Sequence, residues 1–499
     1  QAILAEAQSV LNFPMASGAE TSSESGDFLL VSSHEIGPGQ HATAGDFAES
    51  FKFAKKQRRA FISAGCVCAV LLAAWGVRGI TTRLIPRSEA ALGSLIVEDT
   101  LSMGPLAHPI IATFRANATN KSFSHECHMT SNKTCPIDSM PKGKVSAVFP
   151  GGKTRCIYSS STPFLFQVIP GDSDKLVLHF DDGGCCWDQL TANLGACKPA
   201  VSEIGFQGMF DINSESNPYA HYTLVIIGYC GGDVHVGDVE RPWQVPGGGQ
   251  VAQKGYWNSL AAVKWAQANV ADKRLTSFVV SGSSAGSLGA QVWARKLLTE
   301  FDYESAAVIA DSFAGVFPGG VQGSVMRGTG LCKHDLLSQR LQPACEAGTL
   351  DVQMVLEDTA RAFPRVAFAF VDSKVDSVQI AFYHLIHSTL LKSVATTLTP
   401  QRFSERLDDM SRRYMVLPNW VTYLVNSQHH LFLPQDVLYK TKPGSTIIET
   451  TGTVSEMLSF MGLPLSGSNV PLADWLRGLP VPPGQIVKSV CRGVGQQAE

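Results

Sequence analysis

The chain has 499 residues, enough for one large α/β domain with appended segments. Its net charge is −3 and 17% of its residues are charged, with no basic stripe interleaved with aromatic side chains, which excludes the electrostatic pattern of a nucleic-acid-binding protein. The 45 glycines and the low charged fraction favour an α/β protein with buried strands and tight turns.

The N-terminal region is predicted to be a disordered tail followed by a membrane segment. Residues 1–54 are rich in Ser, Gly and Ala and poor in basic side chains, which indicates disorder. A basic cluster at 55–59 precedes an uncharged run at 60–77, which would span about 27 Å as a helix. Residues 55–80 are therefore predicted to be a signal-anchor with the body on the lumenal or extracellular side. A buried core helix and a cleaved signal sequence are the alternatives.

Residues 81–140 are predicted to form a lumenal stem. Three N-x-S/T glycosylation sequons follow the apolar run, at Asn117, Asn120 and Asn132. Asparagines are glycosylated on the lumenal side of the membrane, and the signal-anchor prediction puts these residues on that side. The two predictions therefore agree.

The cysteines predict disulfides and no metal site. Two of the 12 cysteines lie in the apolar run and ten follow it, an even number that suits a lumenal or extracellular body. Two short loops are candidate bridges, Cys186–Cys197 and Cys332–Cys345. No C-x-x-C pair has a matching second pair or a His partner, so no metal ligand set is predicted.

Strand-like and helix-like runs alternate through residues 141–499. This alternation predicts an α/β fold with a doubly wound, mostly parallel sheet and helices on both faces. Strands are predicted at 164–169, 175–180, 222–227, 275–281, 306–310 and 365–371. Helices are predicted at 255–268, 291–298 and 377–389, and the segments 320–360 and 390–425 are expected to form helices and loops that cap the sheet. Ligands of such sheets bind beyond the carboxyl ends of the strands.

Two turns at predicted strand ends carry candidate chemistry. Ser284 lies in a G-x-S-x-G pattern at 282–286, between a strand and a helix, which is the order that a nucleophile elbow requires. The N–H of Ala285 would then face negative charge that forms near the serine. The second turn, 183–185, follows the strand 175–180 directly, where an oxyanion-binding loop would supply further donors. An ordinary strand-ending turn is the alternative there.

A serine nucleophile needs a base and an acid that orients the base. In α/β-hydrolases these follow the serine in the order acid, then histidine. Asp372 and Asp376 follow the predicted strand at 365–371, although Asp376 also suits a helix N-cap. His429 and His430 are adjacent in a polar segment further on. Spacing alone leaves the choice within each pair open.

Five segments, in chain order over about residues 140–470, resemble the pectin acetylesterase/Notum family of serine carboxylesterases. They are HFDDGGCC at 179–186, YCGGDVHVGD at 229–238, GSSAG at 282–286, VDSVQI at 375–380 and SQHH at 427–430. The first is similar to the family's H-L-E-G-G-G-W-C, and the third matches its G-x-S-A-G elbow. The resemblance implies an α/β-hydrolase-like fold for residues 141–499.

The resemblance also assigns roles to individual residues. It implies a triad of Ser284, His429 and Asp376, with Asp372 and His430 as the alternatives. Backbone oxyanion donors are implied at Gly184, Cys185 and Ala285. The sequence departs from the family pattern in three places: Asp182 replaces a glycine, Cys185 replaces an aromatic residue, and His430 replaces a cysteine.

The activity implied by the family is two-step acyl transfer without metal or cofactor. The expected substrate is an acyl ester, acetyl in the first instance, of a polysaccharide. Deacylation of a lipidated protein or lipid ester is one alternative, and a catalytically inactive, membrane-tethered binding module is another. The expected location is that of a single-pass type II membrane protein with a lumenal or extracellular catalytic domain, or of a protein secreted after cleavage.

Overall fold

A computed structural model describes residues 123–245, 249–313, 315–391, 398–442, 470–483 and residue 485. The predicted tail, the predicted membrane segment and the sequons at Asn117 and Asn120 lie outside these residues. Asn132 is described and is exposed. Within the described ranges, no helix is both long enough and apolar enough to cross a membrane.

The described chain is organised around one nine-stranded sheet and a separate two-stranded pair. In chain order the strands are β1 (Glu126–His128), β2 (Ser146–Phe149), β3 (Phe166–Ile169), β4 (Asp172–Phe180), β5 (Tyr222–Ile227), β6 (Val239–Arg241), β7 (Val251–Gln253), β8 (Leu275–Ser283), β9 (Tyr303–Asp311), β10 (Ala367–Ser373) and β11 (Trp420–Val425). The large sheet has the order β1-β2-β3-β5-β4-β8-β9-β10-β11. Strand β3 runs antiparallel to β2 and β5, and the other neighbours are parallel.

Helices connect the strands. In chain order they are α1 (Gln189–Leu194), α2 (Gly255–Asn269), α3 (Ala285–Glu300), α4 (Gln322–Gly328), α5 (Gln342–Ala347), α6 (Val352–Ala362), α7 (Ser377–Ile386), α8 (Pro400–Tyr414), α9 (Val437–Lys440) and α10 (Leu472–Arg477). A π-helical turn, His387–Leu391, extends α7. Side-chain caps begin four helices, because oxygens of Asp188, Asp351, Asp376 and Thr399 accept N–H groups of the first turns of α1, α6, α7 and α8.

Side chains of the central strands alternate between two hydrophobic cores. In β8, Phe278 and Val280 lie in one core with Trp293 of α3. Val279, between them, lies in the other core with Trp475 of α10. Because successive strand residues point to opposite faces, the sheet is packed on both sides. The result is a mixed α/β fold with a large, mostly parallel sheet.

The predicted strands are confirmed within a few residues at their ends, and the fold differs from the prediction at one edge. The segment 390–425 was expected to form only helices and loops, which is wrong, because β11 pairs in parallel with β10. As an edge strand it leaves Thr422 and Leu424 partly exposed, so its run lacks the uniform burial of the central strands. The long helix α8 precedes it and continues the helix–strand alternation.

Candidate active site

Ser284 occupies a strained turn between β8 and α3. Its backbone has φ 53° and ψ −118°, a conformation that non-glycine residues rarely adopt. A side chain at Gly282 would overlap the carbonyl of Gly286, so the strand and helix approach each other closely only with glycines there. The Ser284 N–H donates to the Asp311 carbonyl at the end of β9 over 2.8 Å. The turn therefore holds the serine at the carboxyl edge of the sheet.

His430 is hydrogen-bonded to Asp376. Its Nδ1 lies 2.7 Å from Asp376 Oδ2, and because a carboxylate accepts, Nδ1 carries the proton. The other carboxylate oxygen accepts the N–H groups of Val378 and Gln379, each at 2.9 Å, and so caps α7. His430 Nε2 is buried and has no hydrogen-bond partner among the described residues. An imidazole held through Nδ1 with a free Nε2 is the arrangement of a general base.

His429 is directed elsewhere. Its Nε2 lies 3.1 Å from Gln435 Oε1, and its carbonyl accepts the Ser373 hydroxyl at 2.6 Å. Adjacent side chains in extended backbone point to opposite sides, so the two histidines have different neighbours. The structure brings His430 to the carboxylate, which departs from the expectation of His429.

Asp372, the alternative acid, lies beside Asp376 without a described hydrogen bond to a histidine. Its Oδ2 accepts Gln379 Nε2 at 2.7 Å, and the same amide donates to Asp376 Oδ2 at 3.0 Å. Burial, with the Asp376 charge as a further cause, raises the pKa of Asp372 well above its ordinary value. Asp372 therefore lies next to Asp376 and shares the Gln379 amide with it.

The charge around His430 favours its protonated form. Burial lowers the pKa of this imidazole, but the carboxylates of Asp376, Asp311 and Asp182 outweigh burial. The pKa of His430 is therefore raised above its ordinary value. This side chain is suited to hold a proton transiently.

The backbone N–H groups expected to bind an oxyanion differ in whether they already have an acceptor. The Cys185 N–H donates to the Ala196 carbonyl at 3.0 Å, within an antiparallel bridge between Gly184 and Cys197. Cys185 was expected to supply an oxyanion donor, and here its N–H is engaged. The Gly184 N–H has no acceptor in the described chain. Ala285 is the first residue of α3, so its N–H has no intrahelical acceptor.

Two side chains of the segment 229–238 hold the glycine turn after β4, residues 183–185. The buried Tyr229 hydroxyl donates to the Gly184 carbonyl at 2.8 Å and accepts the Val234 N–H at 3.0 Å. His235 Nε2 donates to the Asp181 carbonyl at 2.8 Å. Burial lowers the pKa of His235 to about 4, so the ring is neutral at physiological pH. Sequence reasoning recognised this segment as a family motif and assigned it no role.

An ion pair also lies at the turn, and sequence reasoning did not find it. Lys198 Nζ is 2.7 Å from Asp182 Oδ1 and 3.7 Å from Asp181 Oδ2. Burial raises the pKa of Asp181 to about 6, while for Asp182 the opposing charge of Lys198 outweighs burial and lowers the pKa. The turn beside Gly184 is therefore charged and polar.

Four disulfides are present in the described chain. Both predicted bridges are among them, and the pairs are Cys127–Cys135, Cys156–Cys230, Cys186–Cys197 and Cys332–Cys345. Cys185 is a free thiol, and burial raises its pKa to about 12, which makes it a poor nucleophile. The bridges indicate an extracellular or lumenal domain. Within the described ranges, no group of three His, Cys, Asp or Glu side chains is placed to hold a metal ion.

The sequence of this region matches a known family. The pectinacetylesterase family model matches residues 153–396, a range that includes Ser284 and Asp376 and ends before His430. Among solved structures, the Wnt deacylase Notum from Drosophila is similar, with 14% identity and a TM-score of 0.42 over 58% of this chain and 86% of that chain. No curated protein matches the chain. On the strength of this match, residues 153–396 hold a domain of the pectinacetylesterase family, in agreement with the motifs of the sequence.

Proposed function

We propose that the chain is a serine carboxylesterase that hydrolyses acyl esters through Ser284, His430 and Asp376. The hydrogen bond between His430 and Asp376 carries this proposal, because it leaves a buried, unpartnered Nε2 on the base. The strained turn of Ser284 supports it, since such a turn exposes a nucleophile at the sheet edge.

The reaction has two steps. His430 Nε2 takes the proton of Ser284 Oγ as this oxygen attacks the ester carbonyl carbon, and the carbonyl oxygen becomes negative. The N–H groups of Gly184 and Ala285 stabilise that oxygen. Collapse of the tetrahedral intermediate breaks the bond to the alcohol oxygen, which receives the proton from His430. Water then attacks the acyl-serine in the same way and releases the acid.

Asp376 acts on His430 and not on the substrate. It keeps the proton on Nδ1, so that Nε2 is free to accept, and it stabilises the imidazolium that forms. Because the carboxylate also caps α7, the orientation of the imidazole is tied to a helix end.

We propose a short acyl group, with acetyl esters of a polysaccharide as the substrate class. The family match supports an acetylesterase. The ion pair of Lys198 with Asp182, next to Gly184, supports a small polar site, because a long apolar chain gains nothing from contact with buried charges. Deacylation of a lipidated protein or lipid ester is the alternative, and it requires an apolar tunnel. The disulfides support a lumenal or extracellular location, and the signal-anchor at 55–80 stays a prediction.

Hydrolysis of p-nitrophenyl acetate and p-nitrophenyl octanoate by the native protein and by Ser284→Ala tests the proposal. We expect native turnover of acetate to exceed that of octanoate, and Ser284→Ala to lose both. A preference for octanoate would favour the lipid deacylase. Full activity of Ser284→Ala would contradict the nucleophile. A folded native protein that hydrolyses neither ester would favour the inactive binding module.

A further inference from the structure

We propose that Asp311 is a positioning residue that couples the turn of Ser284 to the loop of His430. The inference rests on the proposed esterase function and adds a residue to it. Asp311 is the last residue of β9, between the ends of β8 and β10, and it is fully buried. A buried carboxylate is retained only where donors satisfy it, and the donors here come from both sides of the site.

On the nucleophile side, Asp311 holds the turn through backbone and side chain. Its carbonyl accepts the Ser284 N–H at 2.8 Å. Its Oδ2 accepts the hydroxyl of Ser283, the residue before the nucleophile, at 3.0 Å. The strained φ of Ser284 is thus supported by two hydrogen bonds to one residue.

On the base side, the same carboxylate binds the residues that follow His430. Oδ2 accepts the N–H groups of Phe432 at 2.9 Å and Leu433 at 2.8 Å. Ser312 extends the contact, because its hydroxyl donates to Asp311 Oδ1 at 2.8 Å and accepts the Leu431 N–H at 2.9 Å. Leu431 has φ 76°, so the loop turns sharply after the base. One carboxylate therefore sets where the loop begins relative to the elbow.

The charge of Asp311 also acts on the base. His430 faces three carboxylates from different elements: Asp376 at the start of α7, Asp311 at the end of β9, and Asp182 after β4, the last paired with Lys198. Burial raises the pKa of Asp311, against which the donated hydrogen bonds act. All of the side-chain hydrogen bonds named here are donated to this carboxyl group, as an ionised carboxylate requires.

Kinetics of Asp311→Asn test the proposal. The amide keeps the shape of the side chain, removes the charge and turns one acceptor into a donor. We expect kcat at the pH plateau to fall about 100-fold with KM nearly unchanged, since small misplacement of reacting groups costs that much. The acid limb of kcat/KM is expected to move to lower pH, because a charge that favours protonated His430 is lost. If Asp311 served only the stability of the fold, the substitution would change neither the pH of the acid limb nor the ratio of kcat to KM.

Asp351→Asn is the matched control, because Asp351 caps α6 through the Met354 N–H and is not part of the site. It is expected to lower Tm and leave the acid limb in place. If Asp311→Asn does not fold, Ser312→Ala decides, with an expected fall in kcat of about tenfold or more at constant KM. Unchanged kcat and an unchanged limb in the folded Asp311→Asn protein, or unchanged kcat in Ser312→Ala, would overturn the proposal. Absence of esterase activity in the native protein would instead overturn the proposed function.

Discussion

The carboxylate of Asp376 accepts a hydrogen bond from His430 Nδ1 at 2.7 Å and at the same time caps helix α7. The two functions use different oxygens, since Oδ1 receives the N–H groups of Val378 and Gln379. A helix cap is a geometrically demanding site, so the acid is fixed before any substrate binds. The orientation of the proposed base therefore follows from secondary structure at the end of β10.

This pairing predicts the pH dependence of the reaction. The base must be neutral to take the serine proton, so kcat/KM rises with pH through the pKa of His430. Because the neighbouring carboxylates raise that pKa, the acid limb is expected to have its midpoint above about pH 6.5, the ordinary value for histidine. Measuring kcat/KM for p-nitrophenyl acetate from about pH 5 to about pH 9 checks this. A midpoint below the ordinary value would show that burial dominates.

The two aspartates are predicted to differ in their effect on catalysis. Asp376→Asn removes the charge that stabilises the imidazolium and disturbs the tautomer, so kcat should fall by about 10³-fold to 10⁴-fold. Asp372→Asn replaces a side chain whose described hydrogen bonds come from Gln379 and Ser373 and not from a histidine, so kcat should fall by less than about tenfold. Steady-state kinetics of the two variants show which aspartate orients the base. A larger loss of kcat in Asp372→Asn than in Asp376→Asn would show that Asp376 is not the acid.

Tyr229 is predicted to support the glycine turn after β4, which carries the proposed oxyanion donor Gly184. Tyr229→Phe leaves the Gly184 carbonyl and the Val234 N–H without their partner, which should lower the free energy of unfolding by about 1 to 3 kcal/mol. Movement of the Gly184 donor should lower kcat by about tenfold or more. Tyr219→Phe is the control, since this buried hydroxyl bonds to the Leu476 carbonyl instead. Equal kcat in the two variants would show that Tyr229 only stabilises the fold.

Two disulfides of similar loop length are predicted to separate stability from activity. Cys186–Cys197 adjoins the Cys185-to-Ala196 hydrogen bond, because each bridge cysteine is next in sequence to one of its partners, whereas Cys332–Cys345 joins the turn Leu331–Lys333 to α5. Their sequence separations are 11 and 13, so replacing both cysteines of either bridge by alanine should cost about 2 to 4 kcal/mol.

Activity should respond to the first bridge alone. Loss of Cys186–Cys197 frees the turn next to the oxyanion donors, and kcat should fall in protein that is still folded at low temperature. Loss of Cys332–Cys345 should leave kcat unchanged under the same conditions. Denaturant unfolding gives the stabilities and ester hydrolysis gives kcat. Equal kcat in both double variants would show that the Cys186–Cys197 bridge does not position the site.

The sequence predicted those parts of the proposed site that depend on local pattern. Ser284 follows from a glycine pattern between a strand and a helix, and Asp376 lies at a strand end that periodicity locates. The direction of adjacent side chains is not local in this sense. His430 faces Asp376 because the Ser373 hydroxyl binds the His429 carbonyl and the Ser312 hydroxyl binds the Leu431 N–H.

The glycine turn after β4 illustrates the same limit. The use of the Cys185 N–H depends on the Ala196 carbonyl and on a bridge to Cys197, which no short pattern reveals. No sequence pattern marks Asp311 either, because in the sequence it is one aspartate after an apolar run. Its proposed role rests on donors of residues 283, 312, 432 and 433, which the fold brings together.

The central claim is that His430, and not its neighbour, is the base that serves Ser284. The most direct test measures kcat for p-nitrophenyl acetate in His430→Gln and in His429→Gln, after both variants are shown to be folded. The structure predicts a loss of at least about 10³-fold for His430→Gln and less than about tenfold for His429→Gln. Retained activity in His430→Gln together with a large loss in His429→Gln would contradict the proposed triad.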